Sequence, residues 1–238
     1  MQGAFGVKPW VMGILLVVLS TACIFGGINR IAKVSSIFVP VMAVLYILLA
    51  MVILAVNIQL VPRMFALIIE NAFGFRQFTG GTFGAMMMTG IKRGLFSNEA
   101  GEGSAACAAS IADVSHPVKQ GLVQALSVFT DTLIICSCTA FIILLSGVYA
   151  DSSLNGIQLT QTALQSEIGS VGPTFVAVAI FMFAFSSIIG NYTYGEMNVK
   201  FLTADKHWLT FVRVMNGIVM VIFGALASRD LVWNLGDL

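Results

Sequence analysis

Charge is scarce in this chain. Of its 238 residues only 10% are charged while 58% are hydrophobic, where a soluble domain carries about 25% charged residues. Too few polar side chains remain to cover a water-facing surface, so the composition excludes an ordinary soluble domain and leaves an all-α, multi-pass membrane protein. The basic residues are scattered and the net charge is +1, which leaves no patch dense enough for nucleic acid. The four cysteines, Cys23, Cys107, Cys136 and Cys138, stand in apolar or small-residue stretches without CxxC spacing or a nearby histidine cluster. That spacing argues against a zinc site or a disulfide framework. There is no HExxH, no nucleophile elbow, no GxxxxGK[ST] and no pair of intramembrane aspartates, so an embedded enzyme or a phosphate cradle has nothing to stand on. Met1 to Trp10 lacks the basic start and small-residue cleavage site of a signal peptide.

What is abundant is apolar sequence in membrane-length runs. A hydrocarbon core about 30 Å thick needs about twenty apolar residues. Residues 10–26, 34–57, 117–147, 173–195 and 208–228 read as spans, with Pro40 absorbed near the start of the second and Pro117 opening the third at a helix N-terminus. Residues 27–33 read as a short basic linker. Two shorter stretches stand apart: 62–74 is predicted to be an interfacial or re-entrant helix, and 155–168 an amphipathic interfacial helix with Ile157, Leu164 and Ile168 as its apolar face. Residues 81–95 are the exception. They begin as a span, but Gly80, Gly81, Gly84, Gly90 and Gly94 interrupt it and Lys92 arrives early. A backbone broken in this way survives in a bilayer only where protein or a watery cavity satisfies it, so the stretch points to a transport site. With residue 1 outside, the inner loops and helix ends carry Arg30, Lys33, Lys92, Arg93, Lys119, Lys200, Lys206 and Arg213, against Lys8, Arg63, Arg76 and Arg229 outside, which satisfies the positive-inside rule. The whole chain reads as a single transmembrane domain in the cell membrane.

Several polar groups lie within these runs. Asp131, flanked by Thr130 and Thr132, sits mid-span, where a carboxylate costs about 2.5–3.5 kcal/mol on insertion scales; it can bind a cation, relay a proton or hold a neighbouring helix. Ser186 and Ser187, with Asn191 one turn on, offer hard oxygens to a small cation, or bond back to the previous turn and pack. Glu99 and Glu102, within SNEAGEGS (97–104), are candidates to gate by pairing with Lys92 or Arg93, or belong to a solvated connector.

The stretches GIKRGLFSNEAG (90–101) and HPVKQGLVQALSVFTDTL (116–133), followed by TAFIILLSG (139–147), GIQLT (156–160), FAFSSIIG (183–190) and YGE (194–196), resemble the alanine or glycine:cation symporter family, the sodium/alanine symporters. The likeness covers essentially all of the chain but only about the latter half of the family pattern. It implies a LeuT-like bundle of inverted repeats with discontinuous helices, of which residues 80–95 would be the second. It further implies a sodium site using Ser186, Ser187 and the carbonyl of Phe183, and an amino-acid pocket bordered by Met88, Thr89, Gly90 and Asn191. Asn191 stands where relatives often carry a large aromatic, and the family's Gly-x-Gly-Asn signature of the first discontinuous helix does not occur here. The chain is therefore expected to be an incomplete portion of a carrier of sodium and a small neutral amino acid, with no other cofactor, whose missing amino-terminal helices supply the rest of both sites. The rival expectation is a non-transporting, membrane-embedded assembly partner.

Overall fold

The computed structural model describes residues 5–73, 82–99, 103–151, 153–154, 156–203 and 205–226, and the ordered elements among them are all helical. They are α1 (Pro9–Ile24), α2 (Ile28–Val56), α3 (Val61–Phe73), α4 (Thr82–Asn98), α5 (Ser104–Ala109), α6 (Pro117–Phe129), a π-helical segment (Thr130–Cys136), α7 (Ser137–Ser146), a 3₁₀ turn (Val148–Ala150), α8 (Ile157–Ile168), α9 (Val171–Leu202) and α10 (Lys206–Leu226). Among the described residues three helices are long and apolar enough to cross a membrane: α2, the joined run Pro117–Ser146, and α9, at 29, 30 and 32 residues. The chain forms two compact units, one made of the chain up to Met42 and from Thr174 on, the other of Ala43–Pro173.

In the first unit α1 packs along α10, and α9 contributes the centre of the core. Cys23 and Ile24 of α1, Ile31 of α2, and Ile189 and Tyr192 of α9 form one buried cluster, with Val34 and Phe185 against it. Phe38 and Phe185 meet as tilted rings with centroids 6.1 Å apart. The turn from α1 into α2 is tight because Gly27 takes a φ of +76°, which only glycine adopts freely. That turn removes the predicted linker: Asn29 to Lys33 are already helical, because a glycine turn lets the next helix start at once. Pro40 lies well inside α2 and does not end it.

In the second unit α7 is the hub. Phe141 packs on Phe65 of α3 with centroids 5.7 Å apart, Thr139 shares a 2.7 Å hydrogen bond with Tyr46 of α2, and α8 lies along it. The carboxylate of Glu167 on α8 accepts from Asn57 Nδ2 at 2.5 Å. The stretches 62–74 and 155–168 are helical, as α3 and α8, with Gly74 and Asn155 outside the described residues. The buried stripe of α8 is Thr160, Ala163 and Leu164, and Ile157 is exposed. The reason is a close approach at Gly172 in the first turn of α9, where a Cβ would stand 2.5 Å from the carbonyl carbon and oxygen of Leu164.

Two further expectations are corrected. Gly84, Gly90 and Gly94 do not break their span, since all three lie in the unbroken α4; each glycine costs about 1 kcal/mol of helix propensity relative to alanine, which tertiary context overrides. Gly80 and Gly81 lie outside the described residues. The span predicted as one regular helix over 117–147 instead carries the π-helical segment Thr130–Cys136 in its middle.

Candidate functional site

The predicted site residues fall in both units. Phe183, Ser186, Ser187 and Asn191 are on α9 in the first unit, whereas Met88, Thr89, Gly90, Glu99 and Asp131 are in the second.

Along α9 a spacing of 3.6 residues per turn separates two faces. Ile189, Tyr192, Thr193 and Glu196 are buried. Ser187, Asn191, Gly195 and Asn198 are exposed on the other side. Hydroxyls inside helices usually bond back to the preceding turn, and two do so here: Ser186 Oγ donates to the Phe183 carbonyl at 2.9 Å, and Thr193 Oγ1 to that of Ile189 at 2.8 Å. The carbonyl expected to serve sodium is therefore already held by Ser186. Neither Ser187 nor Asn191 has a side-chain hydrogen-bond partner among the described residues. A membrane-length helix thus presents a hydroxyl and an amide, with glycine between them at Gly190 where a Cβ would meet nothing within 4 Å, on a face that the described residues leave exposed.

In the second unit the predicted acid has found partners. Ser97 Oγ at the end of α4 donates to Asp131 Oδ2 at 3.0 Å, and Asn98 Nδ2 donates to Thr132 Oγ1 at 2.8 Å. The Cys136 thiol lies 3.1 Å from Ser97 Oγ. These three partners belong to the π-helical segment, whose wider turn brings Asp131, Thr132 and Cys136 to one side facing α4. Of the readings open to Asp131, contact with a neighbouring helix is the one with a geometry. Met88 and Gly90 are exposed on α4, and the side chain of Thr89 lies outside the described residues. Glu99 ends α4 in the left-handed region at φ 55°, rare for a residue with a Cβ. Its carboxylate makes no ion pair among the described residues, and Glu102 lies outside them.

Sequence reasoning missed an ionic knot at one end of the first unit. Glu196, with its side chain 1% exposed, accepts from Lys200 Nζ at 2.7 Å and from Arg213 Nη2 on α10 at 3.5 Å. Arg213 Nε donates to the Tyr192 hydroxyl at 3.0 Å, and its guanidinium stands 5.7 Å from the centre of the Phe25 ring. The signal was there: Glu196 and Lys200 are spaced i, i+4, and Arg213 is a lone cation inside a predicted span.

Comparison with known proteins fits these features. The chain is 50% identical over its full length to the amino-acid carrier protein AlsT of Bacillus subtilis strain 168, covering 50% of that protein. It is 49% identical to the probable sodium/glutamine symporter GlnT of the same organism, over 100% of the chain and 49% of the relative. It is 39% identical to the sodium/alanine symporter AgcS of Methanococcus maripaludis, over 98% and 51%. It therefore spans about half the length of the curated relatives it matches. Residues 1–238 match the family described as the sodium:alanine symporter family; with its membrane-length apolar helices, the chain belongs to that multi-pass membrane transporter family and is not an enzyme.

Proposed function

We propose that this chain forms the carboxy-terminal portion of a carrier that couples entry of a small neutral amino acid, alanine or glycine, to sodium by alternating access. The observation that carries the reading is the uncovered face of α9. A free hydroxyl and a free amide in the middle of a membrane helix cost several kcal/mol in lipid unless a partner or a hydrated cavity meets them. In a family of this name, the partner with the matching chemistry is sodium at Ser187, Ser186 and the Phe183 carbonyl, with the solute beside Asn191. On this reading Ser186 swings its proton off the Phe183 carbonyl when the ion arrives, exchanging one hydrogen bond for a cation–oxygen contact. Helices supplied from outside residues 1–238 complete the ion shell and the clamp on the solute carboxylate, and the assembled bundle is a LeuT-like inverted repeat. Sodium binds better to the state that also binds the solute, and that difference in affinity is the coupling.

The experiment replaces the matched stretch of the Bacillus subtilis carrier with residues 1–238 and measures uptake of labelled alanine, glycine and glutamine in vesicles. Uptake that collapses without a sodium gradient, and in Ser187→Ala, supports the reading. Equal uptake with and without the gradient removes the coupling. A hybrid that inserts stably, binds its amino-terminal half and moves no solute favours the assembly-partner reading.

A further inference from the structure

We propose that the groove between α1 and α10 is a binding site for one anionic phospholipid, its phosphate against Arg213 and an acyl chain along the apolar wall. The groove is a cavity of about 470 Å³ lined on α1 by Val17, Thr21 and Phe25 and on α10 by Arg213, Gly217 and Ile222, among others. From Arg213 to Ile222 the wall descends nine residues of helix, roughly 13 Å at about 1.5 Å per residue, and the α10 residues that line it below Arg213 are all apolar. It has the proportions of an acyl chain with a cation at one end.

Three observations favour lipid as the occupant. The end of the unit that holds Arg213 is basic: Arg30, Lys33, Lys200 and Lys206 share it with Glu196 and Asp205 as its acids. Arg213 keeps one face for a ligand, because Nε and Nη2 are spent on Tyr192 and Glu196 while Nη1 has no partner among the described residues and the side chain is 20% exposed. Trp208, exposed and edge-on to Phe211 at 5.7 Å, starts the same helix, and such aromatics sit at the headgroup level of a bilayer. A basic pocket between membrane helices on the side that satisfies the positive-inside rule fits an anionic headgroup. Gly217 leaves the floor open, since a Cβ there would meet nothing within 4 Å.

The test is native mass spectrometry of the 238-residue chain released from micelles holding equal amounts of phosphatidylglycerol and phosphatidylcholine with the same acyl chains. One retained phosphatidylglycerol, preferred about fivefold as one cation facing a net negative headgroup should give when the competitor's phosphate is neutralised by its own choline, is the expected result. Gly217→Leu, which fills the groove without touching the ionic knot, should lose that lipid while its circular dichroism stays that of the parent. Thr21→Leu fills the opposite wall and should act alike. Arg213→Gln should keep a lipid but lose the headgroup preference. Equal retention of both lipids by the parent, or full retention by a folded Gly217→Leu chain, overturns the proposal. So does loss of the bound lipid when the chain is assembled with its amino-terminal half, which would mean a helix occupies the groove.

Discussion

Removing both cations that face Glu196 should destabilise the chain by more than the two single losses together. Glu196 is 1% exposed, and its Oε1 is 2.7 Å from Lys200 Nζ and 3.5 Å from Arg213 Nη2. Lys200→Met gives up one short charge-assisted hydrogen bond; because Lys200 is 40% exposed, solvent screening holds the loss to about 1 kcal/mol. Arg213→Met gives up the hydrogen bond to Tyr192 and the contact with the Phe25 ring, about 2 kcal/mol between them. In either single variant one cation still faces the carboxylate. The double variant loses the same Tyr192 and Phe25 contacts, about 2 kcal/mol, and also leaves a buried charge with no countercharge, which costs about 3–5 kcal/mol more, so an excess of at least about 2 kcal/mol over the summed singles is expected. The assay is unfolding by sodium dodecyl sulfate in mixed micelles, followed by circular dichroism and repeated in a Glu196→Gln background, where the excess should vanish. Additivity within about 0.5 kcal/mol would refute the reasoning, because it would mean the two cations do not share the acid.

Further outcomes follow from other contacts. Gly172→Ala should destabilise the chain by about 1–3 kcal/mol in the same assay, since its Cβ meets the Leu164 backbone and not a side chain that can turn aside. Asp131→Asn keeps an acceptor for Ser97, and the cost should stay under about 1 kcal/mol, as interhelical hydrogen bonds in membranes are weak; a larger loss would show that the negative charge itself holds α4 to the π-helical segment. In the hybrid carrier, Ser187→Ala should raise the sodium concentration for half-maximal uptake about tenfold or more, the worth of one oxygen contact to a charged group, and unchanged sodium dependence would remove Ser187 from the ion shell. Glu99→Gly should raise stability by about 1 kcal/mol by relieving the left-handed backbone at the end of α4, read as a later unfolding midpoint.

Much of the architecture was legible because lipid imposes strict rules. Runs of apolar residues pointed to the three long helices, and Pro117 marked a helix start where a proline loses nothing. Boundaries were harder. The sequence around Asn29 to Lys33 looked polar enough for a linker, yet polar residues in a first helical turn cost little once a glycine has turned the chain. Glycines in α4 looked like breaks because propensity was weighed without the tertiary contacts that override it. The π-helical segment had no signature beyond Thr-Asp-Thr, since an extra residue in a turn changes no composition. At the candidate site, residue chemistry found Ser187, Asn191 and Asp131, but only coordinates could pair Asp131 with Ser97 across 34 positions. The knot at Glu196 went unread for the same reason: Arg213 is distant in sequence and adjacent in space.

The wide turn at Thr130–Cys136 also acts as a phase shifter. By absorbing one surplus residue the wide turn sets everything after it back by about 100° of azimuth relative to a regular α-helix of the same sequence, the angle that one residue subtends. Cys138, Ile142 and Leu145 owe their inward orientation to that offset. Forcing the wide turn back to regular α-helix without removing a residue would therefore act at a distance, swinging this stripe outward and taking Phe141 off Phe65 and Thr139 off Tyr46, although no contact residue had itself been changed.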